Sequence, residues 1–164
     1  MTYQDEESIK SALQIDSWRN LSKEKFLAFA GNLDKIDKDV ALAIVGEFTN
    51  FKALASDALH EVTQQFEAVL RSHDEGSKDA YKGWKRYQKQ LQRELDRPDL
   101  TSEERYQFLM EFRAASEAIS KDGDKRNAFL LKIAGVAATV VVTIVAAAVA
   151  VLGGKSQLGP GTRS

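Results

Sequence analysis

Cysteine is absent from all 164 residues, which removes disulfides, thiolate nucleophiles and cysteine-based zinc sites at once. Histidine is nearly absent as well, occurring only as His60 and His73. The run His60-Glu61-Val62-Thr63-Gln64 begins like a zinc-protease helix. Position 64, however, carries glutamine where a second imidazole one turn on would have to complete the metal pair. Both histidines therefore read as surface or bundle-edge side chains. There is no glycine-rich phosphate loop, no Gly-x-Ser-x-Gly elbow and no dinucleotide fingerprint. Asp122-Gly123-Asp124 is too short for a calcium loop and lacks its terminal glutamate. Glu103-Glu104 belongs to a helix start. No catalytic apparatus is visible, so a non-enzymatic chain with neither cofactor nor metal is expected.

Proline is scarce too: Pro98 and Pro160 are the only two, and nothing before residue 98 forces a helix to stop. Strand signals of period two are missing, and three-four spacing dominates residues 5–121. A short first helix is predicted over residues 5–15, followed by Asp16-Ser17-Trp18. Ser22 caps a second helix to about residue 34, with Phe26, Phe29 and Leu33 on one face. From Ile44 the apolar positions Phe48, Phe51, Ala55, Leu59, Val62, Phe66 and Val69 continue in phase. The same phase runs on through Ser77, Tyr81, Trp84, Gln88, Leu91 and Leu95. Residues 38–96 are thus either one helix nearly 90 Å long or two helices meeting near Asp74–Ser77, where Asp, Glu, Gly and Ser cluster; the sequence leans to the second. Arg97-Pro98-Asp99 is the clearest boundary, and Thr101 with Glu104 forms a capping box for the next helix. Ser120 to Asp124 then loosens the chain.

Charge is nearly balanced overall, at −1, but unevenly spread. Residues 1–75 carry 8 basic against 14 acidic side chains, whereas residues 77–97 carry 7 against 3. Lys78, Lys82, Lys85, Arg86, Lys89 and Arg93 recur three or four apart and so share one helical face, flanked by Tyr81, Trp84 and Tyr87. This is either a solvated face opposite a core stripe (Tyr81, Trp84, Leu91, Leu95) or a surface for anionic lipid headgroups or a protein partner. Nucleic acid is disfavoured, because no base-reading motif accompanies the charges.

What the chain does have is one long uncharged run. Residues 133–154 comprise seven Val, seven Ala, two Ile, one Leu, two Thr and three Gly. At the helical rise these 22 residues extend about 33 Å, matching a hydrocarbon layer of about 30 Å. Within it Gly135, Thr139, Thr143 and Ala147 recur every four residues, a small-residue line that suits helix–helix packing in lipid. Lys121, Lys125, Arg126 and Lys132 precede the run, and Lys155 and Arg163 follow it. The positive-inside rule then sets the amino-terminal part in the cytoplasm and residues 155–164 across the membrane. The acidic opening, Met1-Thr-Tyr-Gln-Asp-Glu-Glu, has no apolar core of a secretory signal.

The expected architecture is all-α: an elongated helical bundle or long helical hairpin (residues 1–127), a single transmembrane anchor (128–154) and a short polar tail (155–164). The expected function is a tail-anchored interaction or scaffolding module, with the bilayer and a protein partner or second copy as partners. The competing expectation is a membrane-active effector that oligomerises through its span, against which stands the lack of a polar face to line a pore.

Overall fold

The computed structural model describes residues 2–71, 77–120 and 123–135. Among them are seven helices: α1 Glu6–Leu13, α2 Lys23–Gly31, α3 Lys38–Gly46, α4 Phe51–Arg71, α5 Ser77–Leu95, α6 Ser102–Ile119 and α7 Gly123–Gly135. A 3₁₀ turn at Leu33–Lys35 separates α2 from α3. The described residues hold no strand, only one isolated parallel bridge between Tyr3 and Ile36.

Local chemistry fixes most of the helix starts. Asp5, Ser22, Asp37 and Thr101 each turn a side-chain oxygen onto a free amide of the first turn of α1, α2, α3 and α6. At Thr101 the box is reciprocal, with Glu104 Oε2 accepting from the Thr101 amide at 2.8 Å. α1 ends on Gln14, whose left-handed backbone (φ 54°) lets amides of the ending turn reach back to α1 carbonyls.

Four helices form a ring. α4 packs on α5, α5 on α7, α7 on α6 and α6 on α4, while α2 leans on α4 and α6, and α3 on α6. The core has two aromatic centres. Beneath α1–α3, Phe48 lies 5.4 Å from Phe29, 5.9 Å from Trp18 and 6.1 Å from Phe26 between ring centroids. Between α4, α5 and α7, Trp84 stacks on Phe66 at 4.4 Å, and Phe129 closes on Phe66 and Tyr87 at 5.7 and 5.6 Å. Such ring pairs add to the area term of burial.

Of the two options for residues 38–96, the single long helix does not form: α4 and α5 pack together as a hairpin, the option to which the sequence leans, and the chain is divided once more after Gly46, which neither option foresaw. The break after Gly46 is invisible in the hydrophobic phase, since Ile44, Phe48 and Phe51 keep their spacing across it. It is held instead by Arg105 of α6, whose guanidinium donates to the Val45 and Phe48 carbonyls at 3.1 Å each and lies over the Phe51 ring. Thr49 Oγ1 also donates to the Arg19 carbonyl. The second helix is likewise shorter than expected, because Asn32 closes α2 after Gly31 and the 3₁₀ turn takes the next residues.

The bundle also extends past residue 127. Phe129 is 4 % exposed and Ile133 2 %, so α7 is an integral fourth wall. Only the first residues of the uncharged run are therefore described, and they sit in the bundle. The rest of the expected span, residues 136–154, and the tail lie outside the described residues. No helix among the described residues is long and apolar enough to cross a membrane.

Candidate functional site

The basic residues singled out in the sequence all lie on α5, and its amphipathic pattern explains which way they face. Trp84, Tyr87, Leu91 and Leu95 are buried against the bundle. That leaves Lys78, Lys82, Lys85, Arg86, Lys89 and Arg93 exposed on the outer face, as the spacing predicted. The aromatic assignment differs. Tyr81 is 38 % exposed and outside the core stripe, while Trp84 and Tyr87 are core residues and flank nothing on the surface. Tyr87 takes the place in the stripe that the sequence phase gave to Gln88.

The six cations are not equivalent. Lys85 reaches across to α4 and pairs with Glu67, which holds its ammonium above the ordinary lysine range, chiefly through that hydrogen bond. The same ammonium lies 5.4 Å from the Tyr81 ring centre. For Lys78, Lys82, Arg86, Lys89 and Arg93, no carboxylate among the described residues comes within ion-pair distance. Arg71, at the last turn of α4, joins this group through the hairpin and makes only a long contact to Glu67 at 3.6 Å. Leu70, Arg71, Lys78, Tyr81 and Lys82 line a shallow groove of about 280 Å³ with a mostly apolar floor.

Sequence reasoning missed Arg71 and Leu131, the latter 74 % exposed on α7. The hairpin to which the sequence leans sets Arg71 beside Lys78, but a face read from spacing along one helix does not include a residue of its neighbour. Leu131 gives no signal in a segment where apolar residues are the rule.

Of the packing line Gly135, Thr139, Thr143 and Ala147, only Gly135 falls within the described residues, as the last residue of α7. His60 is exposed and in hydrogen-bond contact with Gln64 at 3.0 Å, while His73 lies outside the described residues. No group of three or more metal-ligating side chains occurs among the described residues.

The remaining charged clusters have structural work. Glu104 is 3 % exposed, yet it caps α6 and accepts from Arg97 at 2.7 Å. Burial pushes its carboxyl up, but the Thr101 amide and hydroxyl and Arg97 together outweigh that and leave it below the usual carboxylate range. Tyr87 donates its hydroxyl to Glu111 Oε2 at 2.8 Å. Burial, and then the Glu111 carboxylate, push that phenol well above its ordinary range. Comparison with protein-family models, with curated proteins and with solved structures returns no match for this chain.

Proposed function

We propose that the protein is a membrane-tethered helical interaction module, with a bundle held at the cytoplasmic face by the uncharged segment 133–154. The observation that carries this reading is the join between the two parts. α7 is locked into the core by Phe129 and Ile133, and the uncharged run begins at Ile133 without an intervening linker. So short a connection keeps the bundle close to the lipid surface, which suits a docking platform. The outer face of α5, with its row of cations of which only Lys85 is paired, is the surface offered to an acidic partner. Residues 1–75, rich in carboxylates, give a second copy of the chain complementary charge.

Protease treatment of sealed membrane vesicles from expressing cells tests the arrangement. The bundle should be digested from the cytoplasmic side while an epitope placed after Ser164 stays protected. Digestion of both from one side would remove the single-span reading. Expression that collapses the membrane potential, and ceases to do so when Gly135 and Thr139 are replaced by leucine, would favour the effector alternative.

A further inference from the structure

α7 runs antiparallel to α5, and this decides which part of the basic face can meet a bilayer. Phe129 packs beside Trp84 and Tyr87, and one turn later the Ile133 carbonyl would stand 3.4 Å from a β-carbon on Gly83. The carboxyl end of α7, from which the uncharged run continues, therefore lies at the first turns of α5. At that same end are the last residues of α4. The groove of Leu70, Arg71, Lys78, Tyr81 and Lys82 is thus at the end of the bundle from which the uncharged run continues. Two of the three large apolar side chains exposed among the described residues, Tyr81 and Leu131, are there as well.

We propose that this end of the bundle binds the anionic headgroups of the bilayer that holds the span. Arg71, Lys78 and Lys82 take the headgroup phosphates, while Tyr81 and Leu131 enter the interfacial layer. The inference rests on the anchored reading given above. Charge is complementary: from Arg71 to Arg86 the sequence has five basic residues against Asp74, Glu75 and Asp79. An aromatic with a polar tip is the side chain that favours this depth. Distance excludes the rest of the row. At the helical rise Arg86, Lys89 and Arg93 lie about 12, 17 and 23 Å beyond Lys78, whereas an anionic surface acts over a screening length of about 8 Å at physiological ionic strength. Lys85 is closer but already paired with Glu67. The six-residue basic face therefore splits into a lipid-contacting end and a distal part free for another partner.

The absence of cysteine permits a direct test. A fluorophore is attached to a single cysteine in full-length protein, either Asp79→Cys at the groove or Asp96→Cys beyond the far end of α5. Each protein is reconstituted with a headgroup-labelled quencher lipid, in phosphatidylcholine alone or mixed with phosphatidylglycerol. Position 79 should be quenched and position 96 not. Quenching at 79 should deepen with phosphatidylglycerol and weaken in high salt. Each of Arg71→Gln, Lys78→Gln and Lys82→Gln should lower the docked-to-undocked ratio about fivefold. These are surface changes, and the salt titration of unsubstituted residues gives the same answer without them. Quenching at 79 that ignores phosphatidylglycerol, salt and all three substitutions would overturn the headgroup site while leaving the anchor intact. Release of the full-length chain from the vesicles at alkaline pH would instead overturn the anchored reading, and this inference with it.

Discussion

Replacing Phe129 by alanine measures how firmly α7 belongs to the bundle. The ring is 4 % exposed, meets Phe66 and Tyr87 edge-on and lies 6.1 Å from Trp84. Truncation of a buried phenylalanine costs about 3–5 kcal/mol, because the cavity adds to the lost transfer term. Domains of this size are stable by about 5–15 kcal/mol, so the change removes a large share of the total. Each kcal/mol lowers the melting temperature by about 2–8 °C, the smaller values for larger domains. A fall of roughly 10 °C or more is therefore expected for Phe129→Ala in a chain ending at Gly135, followed by far-ultraviolet circular dichroism. A chain ending at Asn127 loses Phe129 and Ile133 together and should fare at least as badly. If both melt within about 1 kcal/mol of the longer chain, α7 is an appendage, and its place as a wall of the bundle is refuted.

Arg105→Ala removes two charge-assisted hydrogen bonds to the Val45 and Phe48 carbonyls and the contact with the Phe51 ring. A loss of about 2–4 kcal/mol in urea unfolding is expected, with Lys at the same position recovering only part of it. Glu104 supplies an acid limb. Its folded carboxyl titrates below the unfolded one, so its stabilisation is complete above about pH 4.5 and is lost as pH falls through the lower folded value. Glu104→Gln should flatten that limb in an acid-unfolding curve, and an unchanged limb would assign it elsewhere. Tyr87 should resist ionisation in an alkaline spectrophotometric titration. Its neutral form is favoured by the fold, so the contribution is present below about pH 10 and is lost as pH rises above it. Tyr87→Phe should remove the resistant component at a cost of about 0.5–1.5 kcal/mol.

Helical class, the caps at Ser22 and Thr101 and the outward face of α5 were legible because each rests on chemistry within a few residues. Proline 98 and the capping box marked the start of α6 for the same reason. The turn after Gly46 was not legible. Its carbonyls are bound by Arg105, nearly sixty residues away, while Phe48 and Phe51 preserve helical phase across the corner. Trp18 reads as a loop residue beside Asp16 and Ser17, yet it is 2 % exposed and its indole donates to Glu6 at 2.8 Å. Nothing local signals that a loop will fold back over a core. The start of the bundle's last helix was hidden differently: Phe129 and Ile133 are apolar in a segment that becomes wholly apolar, so the bundle's final stripe merges with the uncharged run. The groove needed the α4–α5 hairpin, which joins Arg71 to residues that the sequence leaves on another element.

Fractionation with an alkaline membrane wash, comparing the full-length chain with one ending at Gly135, shows whether the uncharged segment anchors the bundle in a membrane. The shorter chain keeps every described core residue, so its solubility speaks to the segment beyond it and not to a broken bundle. The full-length chain is expected to stay with the membrane through high salt and alkali, while the shorter chain is folded and not retained. Release of the full-length chain by alkali would contradict the anchor, and would make residues 136–154 part of a protein or oligomer core in place of a membrane span.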